Sequence, residues 1–229
     1  NIMVNLGNPA QALQNSLLPV SGVGLVRIEF IISEHVKIHP MALVHLDKID
    51  ALLISHEHAD HISGVPVLLK NIPLAVFVSG KVAGLIDFPS GTEKLVGEIS
   101  ADQKVRIGDF RVTPFSLPHD AAETFGFVLE TEGLRIGYAC DLGTFTGRIA
   151  EKLHGSHCLM LEFNHDLDML HDGPYPEKLK LRIASKLGHL SNIEASKLLS
   201  RCLTEETRAI YLMHLSREHF QIVREPGGY

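Results

Sequence analysis

Tryptophan does not occur in this 229-residue chain, and cysteine occurs only three times, as Cys140, Cys158 and Cys202. An odd number of widely spaced thiols gives neither a disulfide framework nor a cysteine-type zinc site, which points to a reducing, cytoplasmic setting. No apolar run approaches the roughly 20 residues that a membrane-spanning helix needs, so no membrane partner is expected. A charged-then-apolar targeting segment is not read at the start either. Repeats, low-complexity tracts and Pro/Gly-rich linkers are lacking, and residues 1–229 read as a single domain. Basic side chains are outnumbered by acidic ones, 21 against 27, for a formal charge of −6. That balance excludes nucleic-acid binding over the whole surface and leaves room only for a local basic face. Hydrophobic residues make up 45% of the chain, enough for a core and too many for a disordered polymer. One residue type is in excess: histidine occurs 14 times.

The first 45 residues are the least patterned. Asn8-Pro9 and Ser21-Gly22-Val23-Gly24 read as turns, and Leu25–Ile32 reads as a strand. Further strands are expected at Ile49–Ser55, Leu74–Val78, Lys104–Ile107, Phe110–Leu117, Thr124–Thr131, Leu134–Ala139, Cys158–Phe163 and Ala209–Met213. Glu132-Gly133 is a hairpin signal between two of them. Helices are expected at Ile62–Lys70, residues 146–153, Pro176–Leu187 and Ser191–Leu203, the last opened by the capping box Ser191-Asn192-Ile193-Glu194. Strands in two groups, interleaved with helices, predict a layered α/β architecture.

The most informative stretch is Ser55-His56-Glu57-His58-Ala59-Asp60-His61, directly after an apolar strand. A loop at a strand end is free of the two-fold alternation and can aim several side chains into one space. Imidazole and carboxylate together are donors for zinc, iron or manganese, and a set without cysteine suits an open, water-holding site rather than a closed structural one. A solvated polar loop is the bland alternative. The flanking Leu52-Leu53-Ile54 and Ile62 oppose it, because unpartnered burial of these groups would cost several kcal/mol. The His-Glu-x-x-His helix of metalloproteases does not fit, since Asp60 stands where its second histidine would be.

The pattern His-x-His-x-Asp-His resembles the hallmark of the metallo-β-lactamase superfamily of hydrolases. The resemblance implies a four-layer αββα sandwich, in which two mixed β-sheets pack face to face with helices on the outer faces. It also implies further ligands at the ends of later strands. His119 follows Phe115-Ser116-Leu117-Pro118, Asp141 follows Ile136-Gly137-Tyr138-Ala139-Cys140, and His214 follows Ile210-Tyr211-Leu212-Met213. By the same resemblance, His56, His58 and His119 hold one divalent transition metal, Asp60, His61 and His214 hold a second, and Asp141 bridges them. Zinc is the first expectation, with manganese or iron accepting the same donors. Such a pair shares a hydroxide that serves as nucleophile, with Asp60 placed to orient it. Histidine at both positions 58 and 61 favours hydrolysis over the redox di-iron branch of the family.

The motifs Ser116-Leu117-Pro118-His119-Asp120-Ala121, Tyr138-Ala139-Cys140-Asp141-Leu142-Gly143, Phe163-Asn164-His165-Asp166, Gly188-His189-Leu190-Ser191-Asn192 and His214-Leu215-Ser216-Arg217-Glu218-His219 are similar to the bacterial YycJ/WalJ-like exonuclease branch. That similarity implies a phosphodiester substrate, either DNA or RNA or a small phosphodiester. His165, Asp166 and His189 are candidates for touching the substrate or protonating its leaving oxygen, with bracing of the ligands as the alternative. Lys178, Lys180, Arg182 and Lys186 form either a phosphate-tracking face or an ordinary solvated helix surface. The family normally opens with a strand closing in Asp-x-Gly. Here Glu29-Phe30-Ile31-Ile32 continues as Ser33-Glu34-His35, where Glu34 is the available substitute and His35, His39 and His45 read as surface residues. Two other functions stay open at this level: an ester or thioester hydrolase of glyoxalase II or lactonase type, and a metal-binding scaffold without activity.

Overall fold

The computed structural model describes residues 3–6, 22–26, 49–216 and 218–219. The chain divides into two compact units, Asn1–Leu52 and Leu53–Tyr229. In the first, β1 (Met3–Leu6) pairs in parallel with β2 (Gly22–Val26), with a register shift between Val4 and Asn5. The turn expected at Ser21–Gly24 is therefore replaced over Gly22–Gly24 by strand, because pairing with β1 overrides the local glycine signal. Of the strand expected at Leu25–Ile32, only Leu25 and Val26 are described. Asn8-Pro9, Glu34, His35, His39 and His45 lie outside the described residues.

β3 (Ala51–Leu53) leads into the second unit, where the Ile54 N–H donates to the Phe77 carbonyl at 3.0 Å. Two short helices follow, α1 (Ala59–Ile62) and α2 (Val65–Asn71). The single helix expected at Ile62–Lys70 is broken at Ser63-Gly64. Pro66 sits in the first turn of α2, where its missing N–H costs nothing, and so sets a new helix start. β4 (Ala75–Ser79) passes into α3 (Gly80–Ala83), which Ser79 caps, and pairs in parallel with β5 (Val96–Ile99). Neither α3 nor β5 was legible in the periodicity.

The larger sheet has six strands: β6 (Val105–Ile107), β7 (Phe110–Leu117), β8 (Thr124–Thr131), β9 (Leu134–Ala139), β10 (Cys158–Glu162) and β11 (Ala209–Met213), side by side in that order. The first four form an antiparallel meander, and β9, β10 and β11 run parallel. Gly133 closes the β8–β9 hairpin at φ 72°, a backbone conformation that a side chain would oppose. Parallel neighbours require crossovers. α4 (Gly147–Leu153) joins β9 to β10, and α5 (Leu167–Asp172), α6 (Glu177–Ile183) and α7 (Asn192–Cys202) join β10 to β11. Thr146, Asp166 and Ser191 cap α4, α5 and α7 through their side-chain oxygens.

Strand alternation separates two cores. Phe115, Leu117, Val128 and Ala139 point toward α4 and α7, meeting Ile149, Leu153, Leu198 and Cys202. Val112, Phe125, Phe127 and Tyr138 point the other way, toward Leu53, Phe77 and Ile99 of the smaller sheet. Two sheets thus face each other across one core. α4 and α7 cover the outside of one sheet, and α3 packs against β4 and β5 of the other. This is the four-layer αββα sandwich. α6 stops at Ile183 rather than Leu187 because the chain doubles back, with the His189 N–H bonding the Ile183 carbonyl at 2.8 Å. A side chain at position 188 would lie 2.1 Å from the Arg182 carbonyl oxygen, so only glycine allows that reversal. Among the described residues, no helix is long and apolar enough to cross a membrane.

Candidate metal centre

The parallel strands and the meander deliver their ends to one place. His56 and the loop to His61 follow β3, His119 follows β7, Asp141 follows β9, Glu162 closes β10, and His214 follows β11. His189 arrives on the reversed segment between α6 and α7. The ring of His56 lies 4.6 Å from that of His58, 4.2 Å from that of His61 and 5.0 Å from that of His119. Potential ligand atoms fall into overlapping groups, each within 4.8 Å: His56, His58 and His119; His56, His61 and Asp141; Asp60, His61 and His214; and Asp141, Glu162, His189 and His214. The seven residues expected to bind metal are therefore brought together, with His56 and Asp141 linking the groups. Asp141 lies 3.3 Å from His61 Nε2 through one oxygen and 3.4 Å from His214 Nε2 through the other.

These residues fit a pair of cations. His56 Nε2 and Asp141 Oδ2 are buried without a hydrogen-bond partner, a cost of about 1–3 kcal/mol each if nothing engages them. Asp60, Asp141 and Glu162 concentrate negative charge, yet their described ion pairs are all with histidines and none is with lysine or arginine. The donors are nitrogen and oxygen only, as hard or borderline divalent ions prefer.

A sequence profile of the β-lactamase superfamily domain matches residues 26–215. The chain belongs to the β-lactamase superfamily. Within that superfamily it is 32% identical over 186 residues to the exodeoxyribonuclease YycJ of Bacillus anthracis, covering 78% of this chain and 68% of that protein. It is also 32% identical over 181 residues to the exodeoxyribonuclease WalJ of Streptococcus pneumoniae, covering 76% of this chain and 66% of that protein. The chain thus spans about two thirds of the length of these relatives. Among solved structures, the metallo-β-lactamase fold protein YhfI from Bacillus subtilis superposes with a TM-score of 0.61 at 19% identity, over 80% of this chain and 71% of that one. Membership makes this a metal-dependent hydrolase fold whose centre takes divalent metals.

The superfamily centre is held rigidly from behind. Asp141 and His214 both have left-handed backbones, at φ 60° and 51°, which costs of order 1–3 kcal/mol each outside glycine. Neighbouring bonds enforce them: the Leu142 N–H donates to Glu162 at 2.9 Å, and the Asn164 side-chain amide donates to the His214 carbonyl at 2.9 Å. Glu162 escaped the reading of the sequence and is the main bracing group. Fully buried, it accepts from His189 Nδ1 at 2.8 Å, His214 Nδ1 at 3.0 Å and the Leu142 and Leu190 N–H groups. Its signal was present, since it ends the apolar run Cys158-Leu159-Met160-Leu161 much as the candidate ligands His119, Asp141 and His214 follow theirs. His119 is braced differently, its Nδ1–H donating to the Gly188 carbonyl at 2.9 Å and leaving Nε2 as the lone-pair donor.

Burial, reinforced by the neighbouring His61, His119 and His58, pushes His56 down to about 2, so it stays a neutral donor. Burial likewise lowers His119. His214 behaves in the opposite way. Burial opposes its charge, but pairing with Asp60 and Glu162 and the field of Asp141 outweigh it and push the imidazole up to about 11. For Glu162, burial is overcome by hydrogen bonds from His189 and His214, which hold the carboxyl down at about 2.

Of the remaining candidates, His189 stands in the cluster, with its ring 5.1 Å from that of His119 and 4.9 Å from that of His214. His165 does not join the ligand groups. It is buried behind them, paired at 3.2 Å with Asn164 Oδ1 and bridged to Ser191, and burial lowers it to about 4. Asp166 caps α5 through the Asp168 and Met169 N–H groups.

Proposed function

We propose that this chain hydrolyses phosphodiester bonds in nucleic acid, DNA first, with two divalent metals. His56, His58 and His119 would hold one and Asp60, His61 and His214 the other, with Asp141 available to both. Zinc is the metal we assign on the imidazole-rich donor set, with manganese or iron as the other outcomes of metal analysis. When bound, the pair supplies Lewis acidity that offsets charge on a phosphoryl group and makes water nucleophilic near neutral pH. The observation that carries the substrate class is the 32% identity, over more than three quarters of the chain, to proteins named as exodeoxyribonucleases.

In this reading the chain's own residues orient and protonate. Glu162 fixes His189 through Nδ1, with its ring 5.1 Å from that of His119 and 4.9 Å from that of His214, where it can give a proton to the leaving oxygen. Asp60, exposed at the start of α1, orients the attacking water. His165 and Asn164 brace His214 from behind rather than touching substrate. A domain of this superfamily is proposed over residues 26–215, the stretch that the profile matches. The scarcity of cysteine supports a cytoplasmic setting.

The test compares a chromogenic phosphodiester, a 5′-labelled DNA duplex and a thioester, using metal-loaded protein with Asp141→Ala as control. Phosphodiester turnover lost in the variant is the expected result. Thioester turnover without phosphodiester turnover would assign the centre to carbonyl chemistry. Absence of bound metal in a folded protein would reject the centre altogether.

A further inference from the structure

Arg182 sits in α6, and the end of that helix is tied to the ligand loop. Its Nε donates to Asp120 Oδ2 at 2.5 Å, and the Asp120 N–H bonds the Leu187 carbonyl at 2.9 Å. The other oxygen of Asp120 lies 3.5 Å from His119 Nε2 and 3.8 Å from His58 Nε2. One carboxylate therefore joins the arginine to two of the residues assigned to metal. The side chain of Arg182 is 55% exposed, and among the described residues its terminal amino groups have no partner. A guanidinium has five N–H donors in a planar fork, so a carboxylate on Nε fixes the plane and leaves the far edge free for two parallel bonds.

The other cations of this segment divide by the same criterion. Lys180 is spent on the His171 carbonyl and Glu177. Lys178 lies one turn before Arg182 on the same face of α6 and is exposed. Against a formal charge of −6, an oriented arginine at the rim of the centre with a lysine one turn away is a local basic edge.

We infer that Arg182, held in place by Asp120, binds a non-scissile phosphate of a single nucleic-acid strand and so seats the strand over the centre. This rests on the phosphodiesterase reading above and adds a residue that sets polymer over small-molecule substrates. An ion pair that only ties α6 to the ligand loop would leave strand binding unchanged when Arg182 is replaced. A phosphate contact would not.

The experiment measures anisotropy of a 5′-fluorescein-labelled, phosphorothioate-linked 12-nucleotide DNA strand on the metal-loaded full chain, titrated across salt concentration. Hydrolysis of an unmodified strand and of a chromogenic phosphodiester is followed in parallel. Arg182→Ala is expected to weaken binding about tenfold and to lower the slope of log K against log salt by about 0.7, one phosphate contact on a single strand. Arg182→Lys should keep the slope and recover part of the affinity, because charge is retained and the fork is lost. Lys197→Ala, on α7, should change neither. In hydrolysis, Arg182→Ala should raise KM for the strand with kcat kept, and leave the chromogenic substrate untouched. Unchanged binding and slope in Arg182→Ala, equal losses on both substrates, or a wild type that does not bind the strand would each overturn the assignment. An Arg182-dependent slope in a wild type that hydrolyses neither substrate would instead sink the phosphodiesterase reading and leave only the strand contact at Arg182 standing.

Discussion

The two sides of the centre push the same kind of side chain in opposite directions. On the side of His56 and His119, burial pushes the imidazoles toward neutrality and the donors are lone pairs. On the side of Asp60, Asp141 and Glu162, carboxylates outweigh burial and His214 is pushed up to about 11. Fold position does not explain the contrast, since on both sides these groups, apart from Asp60 in α1, stand at or just after the end of a strand. Neighbours explain it: around His56 the neighbours are mostly imidazoles, with Asp120 at the edge and paired with Arg182, whereas His214 faces three carboxylates. A histidine's role in such a site is therefore read from the carboxylates around it.

Experiments can break or sharpen that contrast, starting with the largest effect. Asp141→Ala removes the carboxylate common to both sides. Hydrolysis should fall by about a thousandfold or more, and elemental analysis should find fewer metals per chain. Two metals retained at full occupancy would mean that the sides are independent. Next, stripping the wild type with a chelator removes a ligand that binds only the folded state. At metal about a thousandfold above its Kd, about 4 kcal/mol of stabilisation is lost, which calorimetry should register as a drop in Tm on the order of 10 °C. An unchanged Tm would show that the carboxylate side is stable without its cation.

Glu162→Gln is the sharper probe, because Glu162 braces only the carboxylate side. Metal affinity there should weaken by about 10–100-fold, while the His56, His58 and His119 side keeps its metal in a titration monitored by cobalt absorbance. Equal loss on both sides would dissolve the distinction. The smallest effect is expected from Ser191→Ala, which removes the cap of α7 just after His189. Stability should fall by about 1 kcal/mol, read as a modest decrease in Tm, with metal content intact.

Much of the fold was legible where a strand pattern stood alone. β7, β8, β9 and β11 begin and end where alternation and apolar runs place them, and α4 and α7 lie within a residue or two of their expected bounds. The failures have physical causes. β5 carries a glycine and a glutamate in four residues, too little pattern to register. α6 ends early because Gly188 lets two carbonyls approach it, a tertiary event that no window of sequence contains. At the site, the candidate ligands stood out in the sequence because they cluster or follow strand ends, and the structure brings them together. Glu162 was missed because a single glutamate closing an apolar run carries no motif, and its importance lies in four partners that are distant in sequence.

Those four partners come from three other stretches of chain, at Leu142, at His189 and Leu190, and at His214. A carboxylate sealed from water with only some of them present is an uncompensated charge, and that half-built state is heavily penalised. The centre is therefore expected to form as one cooperative event, in which Glu162 is satisfied only once β11 and the segment before α7 have docked. Amide exchange at Leu142 and Leu190 should report it, with the two sites opening together at a single free energy rather than fraying in turn.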